Sequence, residues 1–162
     1  MSEELESTQE ENFTGLTICN IKDEWGWVKP GLQEIYDADP DPKQVPEDVY
    51  ADCRYGLAKL FCMANKELFV VLSEHRESDN LLHLVVWMCW AADKGSRKMS
   101  VWLPDVEKYA KDNGYASVMC ETVHLGIAEY AVKDYGYFID TIVLKKFVRG
   151  KDGKEEEQSK SN

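Results

Sequence analysis

The run Leu81–Ala91 (LLHLVVWMCWA) constrains the fold more than any other segment. It falls well short of the roughly 18 apolar residues needed to cross a bilayer. Its valines and tryptophans disfavour a helix and suit a buried strand. We read it as the central strand of an α/β domain. The chain has 162 residues, enough for one domain with a real core and too few for two.

The flanking pattern alternates strands and helices. LTICNI (16–21) predicts a first strand, and the spacing of Val28, Leu32, Ile35 and Tyr36 predicts a helix with Pro30 near its start. Three prolines and three aspartates make 37–46 a loop. Pro46-Glu47-Asp48 opens a short helix that Gly56 stops. LAKLFCM (57–63) and LFVVLSEH (68–75), split by a polar turn, predict a hairpin. After the central strand comes a basic loop (93–100), then a helix through Val106, Tyr109 and Ala110. Pro104 predicts that this helix begins near Leu103. SVMCETV (117–123) predicts a strand, GIAEYAVKDYG (126–136) a helix, and YFIDTIVLKKF (137–147) a long closing strand. The expected order is β-α-α-β-β-β-α-β-α-β. Residues 13–148 form the domain, between an acidic tail (1–12) and a charged tail (149–162), both expected to be disordered.

Net charge is −11 and the pI about 4.7. This argues against direct nucleic-acid binding, which needs Lys and Arg at the phosphates. Imitation of DNA by an acidic face is a minor alternative. Without the five acids of the N-terminal tail the charge is −6, a value that serves solubility. The five cysteines show no CxxC or Cys/His cluster, so we expect reduced, structural thiols, no zinc, and a cytoplasmic location. The polar, acidic N-terminus is not a secretory signal.

From Leu16 to Val148 this order resembles the GNAT (Gcn5-related N-acetyltransferase) fold: a mixed, mostly antiparallel twisted sheet flanked by helices. The most specific segment is the Ala128 helix leading into Gly136-Tyr137 and a strand. The resemblance implies an acetyl-CoA pyrophosphate loop at Lys94, Gly95, Ser96, Arg97, Lys98 and Met99. Lys94 keeps the basic first position, while Arg97 and Met99 stand where the family has glycines. Those glycines let backbone N–H groups reach the pyrophosphate at a helix N-terminus, and side chains crowd that approach. Lys94, Arg97 and Lys98 could instead hold phosphates by charge, which keeps acetyl-CoA open as a cofactor.

The family's tyrosine acid falls on Val132, and Tyr130 and Tyr135 point about 160° and 60° away by helical spacing. Glu74, His75 and Glu121, at strand ends, are the candidate bases. His83 reads as a hydrogen-bonded interior or edge residue rather than a base, and His124 as structural. Trp87 and Trp90 should point to opposite faces of their strand. Trp25-Gly26-Trp27 could form an exposed patch. PEDVYADCRYGLAKLF, FVVLSEH and LPDVEKYAKDNGYASV resemble small bacteriophage proteins of degenerate GNAT type, including internal virion proteins. That narrower resemblance implies a non-catalytic protein with a partner in a particle or in the host cytoplasm. The alternative is a divergent acetyl-CoA-dependent N-acetyltransferase.

Overall fold

Asn20 decides where the first strand stops. Its side chain accepts the Lys22 backbone N–H at 3.0 Å and caps a helix that begins at Ile21. The computed structural model describes residues 15–94, 99–122 and 125–146. Both tails, Gly95, Ser96, Arg97, Lys98 and His124 lie outside the described residues. The first strand, β1 (Thr17–Cys19), is therefore shorter than expected, and helix α1 runs Ile21–Ala38. Pro30 sits in the middle of α1, not near its start. An interior proline costs about 3 kcal/mol. Burial of Val28, Leu32 and Tyr36 on the same helix offsets that cost.

Helix α2 (Pro46–Tyr55) begins at its proline and ends at Gly56, whose φ of 79° is left-handed. The Val45 N–H donates to Asp48 Oδ2 at 2.9 Å, securing the first turn. Strands β2 (Ala58–Cys62) and β3 (Leu68–Arg76) form the expected hairpin, followed by β4 (Leu82–Ala91). Helix α3 (Met99–Asp112) then leads to β5 (Val118–Cys120). The sheet order among the described residues is β1-β2-β3-β4-β5, antiparallel except for the β4/β5 pair. The centre of the sheet is thus β3, with β4 beside it.

Helix α3 starts four residues earlier than Pro104 suggested. Trp102 and Leu103, both buried, hold the turn before the proline against the protein. Packing here outweighs the one lost backbone hydrogen bond.

Alternation along the strands separates two faces. Leu60, Cys62, Phe69 and Val71 face α1 and α2, joining Ile21, Val28, Leu32 and Val49 in one core. The other face meets α3, where the Phe61 and Tyr109 rings lie 5.1 Å apart. Trp25, Trp27, Trp87 and Trp90 all pack on the α1/α2 core. Two expectations therefore fail. Trp25 and Trp27 are anchors within α1, against Tyr50 and Phe69, not an exposed patch. Trp87 and Trp90 share a core because the β3/β4 register slips at Val71/Leu72, which partner Met88 and Val86 and leave Trp87 as the extra residue of a bulge.

Residues up to Val123 and from His124 onward form two separate units. In the second, helix α4 (Leu125–Tyr135) ends at Gly136, with φ 71°. The expected strand at 137–147 is not formed over its described part, 137–146. A strand exists through its ladder, and none is present for this segment among the described residues. Phe138 and Leu144 on this segment are 80% and 91% exposed. Among the described residues no helix is long and apolar enough to cross a membrane.

Tyr36 carries a testable cost. It is 6% exposed, and its hydroxyl is buried without a hydrogen-bond partner. Burial, then the charges of Asp48, Asp39 and Asp52, push the phenol up to about 12. Tyr36→Phe removes the orphaned group and should unfold at higher urea, by about 1 kcal/mol at neutral pH. The native phenol stays protonated where the unfolded one has ionised. Wild-type stability is therefore lost as pH rises from about 10 through about 12, and the phenylalanine variant escapes that loss. Urea melts at neutral pH and near pH 11 should show the gap widening.

Candidate functional site at the carboxyl ends of the parallel strands

The parallel pair β4/β5, the only one among the described residues, creates an opening. Strands β4 and β5 pair only from Leu84↔Val118 to Val86↔Cys120, whereas β4 continues to Ala91. Beyond Val86, β4 has no neighbour on that edge among the described residues. The bulge at Trp87 lies where the edge becomes free. Such a free edge offers backbone N–H and C=O groups to an extended, amide-bearing ligand. Helix α3 links the two strands, so its N-terminus belongs to this same end, with its dipole favouring anions. Ligands of open α/β sheets bind outside the carboxyl ends of the strands, and bulges gather next to such sites.

Lys94 follows β4 into this region, but its ammonium is engaged. It lies 2.6 Å from Glu34 Oε1, donates to the Ala91 carbonyl at 2.9 Å, and sits 4.9 Å from the centre of the Trp90 ring. Glu34 also accepts the Trp90 indole N–H at 2.9 Å. The Lys94 hydrogen bond, then that of Trp90, holds the Glu34 carboxyl below its ordinary range. Nothing local in an exposed helical glutamate announces partners more than fifty residues away, so Glu34 is invisible to sequence pattern.

The three candidate bases do not converge. Glu121 follows β5 directly and is exposed at the carboxyl end of the opening. Glu74 and His75 lie near the end of β3, beside Leu84 and His83 at the start of β4. That is roughly 20 Å along the strand from Ala91 at about 3.3 Å per residue. They also point to opposite faces, as neighbours in a strand must. Glu74 accepts the Tyr115 hydroxyl, and Lys59 donates to Tyr109 at 3.0 Å beside it. Burial, followed by the Glu74 hydrogen bond and charge, raises the Tyr115 phenol well above its usual range.

Two thiols flank the opening. Burial pushes the half-buried Cys89 up to about 12, while Cys120 is exposed and its thiol is raised by local desolvation and then by the Glu107 charge. Both stay protonated at neutral pH, but only Cys89 has the partly buried setting expected of a structural thiol. In the second unit, Val132 is exposed on α4, and Tyr130 and Tyr135 pair with each other at a ring distance of 5.4 Å. His83 is the interior, hydrogen-bonded residue its setting suggested, with Nδ1 2.7 Å from Ser117 Oγ.

No family model and no curated protein matches the chain by sequence. Solved structures do match by shape. A protein described as a probable acetyltransferase superposes with a TM-score of 0.58 at 12% identity, over 81% of this chain and 99% of its own. Ribosomal-protein-alanine N-acetyltransferase from Brucella melitensis biovar Abortus 2308 gives 0.60 at 10% identity, over 82% and 97%. Glucosamine-6-phosphate N-acetyltransferase from Arabidopsis thaliana gives 0.56 at 10% identity, over 82% and 96%. With its helices on both faces of a mostly antiparallel sheet that opens between two parallel strands, this chain has the fold of the GNAT acyltransferases.

Proposed function

We propose that this is a bacteriophage-encoded protein that keeps the acyltransferase frame and acts by binding a protein partner, in the particle or in the host cytoplasm, rather than by acyl transfer. The observation that carries this reading is the state of Lys94. The basic residue that opens the expected phosphate loop is bound to Glu34, Trp90 and a backbone carbonyl. Two further features support it. Arg97 and Met99 occupy the positions that need glycine for backbone contact with a pyrophosphate. Glu74 and His75 sit at the far end of the sheet from the opening.

Thermal melting in millimolar acetyl-CoA and CoA tests the reading, and no shift is expected. A ligand at 100 times its Kd would add about 2.7 kcal/mol, or roughly 5–10 °C for a chain of this size. A rise of that order, abolished in Lys94→Ala/Arg97→Ala/Lys98→Ala, would overturn it.

The second reading, a divergent acetyl-CoA-dependent N-acetyltransferase, is favoured by the free β4 edge and its bulge. Under it, Glu121 is the carboxylate at the correct end of the strands to take a proton from an acceptor amine. Glu121→Gln would then lower kcat/KM about 100-fold or more with an intact melting transition.

A further inference from the structure

The β3/β4 hairpin tip, away from the opening, assembles a different chemistry. Glu77, Asp79 and His83 bring one ligand atom each to within 4.8 Å of one another. His83 is 9% exposed, and its Nε2 is buried without a hydrogen-bond partner, 3.7 Å from Glu77 Oε2. Nδ1 lies 2.7 Å from Ser117 Oγ. With Nδ1–H donating to that hydroxyl, the Nε2 lone pair faces the two carboxylates. Among the described residues no group lies within hydrogen-bond distance of this buried nitrogen, and a cation between it and the carboxylates would fill that position.

We propose that Glu77, Asp79 and His83 form a divalent-cation site of the zinc class, with Ser117 orienting the histidine. Imidazole and carboxylate are both zinc ligand types, and three of them leave a fourth, tetrahedral position for water. The imidazole nitrogen disfavours calcium and magnesium, which take oxygen ligands. Zinc ligands at about 2.0–2.2 Å lie roughly 3.3 Å apart in a tetrahedron. The two exposed carboxylates can close that distance by rotamer changes.

The turn that carries them is already fixed. The Glu77 N–H donates to the Leu81 carbonyl at 3.2 Å, and the Asn80 N–H to the Glu77 carbonyl at 2.9 Å. The Leu81 N–H donates to Asp79 Oδ1 at 2.9 Å, leaving Oδ2 for a metal. Asn80 is left-handed at φ 67°, and Arg76 donates to its carbonyl at 2.7 Å, which keeps the guanidinium on Asn80. The bound ion would tie the hairpin tip, through His83 and Ser117, to the segment that enters β5.

Isothermal titration of ZnCl2 into the full, reduced, chelator-treated chain tests this. One equivalent should bind and raise the Tm, while Glu77→Gln and Asp79→Asn, both at exposed positions, should each lose at least tenfold in affinity with unchanged circular dichroism. Ser117→Ala should weaken binding about tenfold, as loss of a partner that orients a ligand does. Cobalt(II) should give d–d bands in the visible and no thiolate charge-transfer band in the near ultraviolet. Absence of saturable binding, binding unaffected by Glu77→Gln/Asp79→Asn, or a thiolate band pointing to the cysteines would each overturn the proposal.

Discussion

Phe69→Ala should cost about 3–5 kcal/mol, the range for removing a fully buried aromatic ring from a core. Phe69 is 0% exposed in the middle of the sheet. Its ring stacks on Trp90 at 5.7 Å and 17° and meets the edge of Trp27 at 5.7 Å and 70°. The three rings join α1 to β3 and β4. Truncation leaves a void between rigid elements, which cannot collapse to fill it. Urea unfolding should show a large fall in midpoint, and tryptophan fluorescence should change in the native baseline because two indoles lose a neighbour. A loss under 1 kcal/mol would mean that the cluster does not hold these elements together.

The damage should also reach the opening. Trp90 is anchored between Phe69 on one side and Glu34 and Lys94 on the other. Loosening the indole removes the surface over which the Lys94 ammonium rests. Core and candidate site are therefore continuous at Trp90.

Much of this frame was readable from local pattern. The hairpin of β2 and β3 follows from two apolar runs and a turn in which Asn65 Oδ1 accepts the Glu67 N–H and Lys66 takes a positive φ of 58°. Helix α2 follows from a proline at its start and a glycine at its end. These signals act over a few residues, so sequence carries them directly. Pro30 and Pro104 misled for the same reason. A proline's cost is local, whereas the burial of Leu32, Trp102 and Leu103 that outweighs it is long-range. The bulge at Trp87 is likewise a property of two strands in register, which one strand's alternation does not encode. The closing segment at 137–146 shows the converse. Its alternating apolar residues mark a capacity for pairing, and the pairing itself needs a neighbour.

The site was less legible than the fold. Glu74, His75 and Glu121 share one signal, a titratable group at a strand end, but strand direction puts them at opposite ends of the sheet. The partners that define each group's chemistry lie far away in sequence: Tyr115 for Glu74, Glu34 for Lys94, and Ser117 for His83. Residue type and spacing therefore proposed candidates, and topology sorted them.

Gly31→Ala should destabilise the protein even though alanine is the better helix former. In a free helix the exchange would gain nearly 1 kcal/mol. Here a Cβ at Gly31 would lie 2.7 Å from Phe69 Cε1 and 2.9 and 3.0 Å from two atoms of the Trp90 ring. Neither ring can yield, since each is stacked on the other and Phe69 is enclosed on all sides. Overpacking of this kind costs about 1–3 kcal/mol. The two substitutions should couple with opposite sign. In the Phe69→Ala background the clash with Phe69 is gone and a void has opened beside residue 31, so the added methyl should cost little or restore stability. A double-mutant cycle should therefore give a coupling of at least about 1 kcal/mol in the stabilising direction, the scale found for residues in contact. Additive losses would place the cost of Gly31→Ala in the α1 backbone next to Pro30 rather than in its contact with the aromatic cluster.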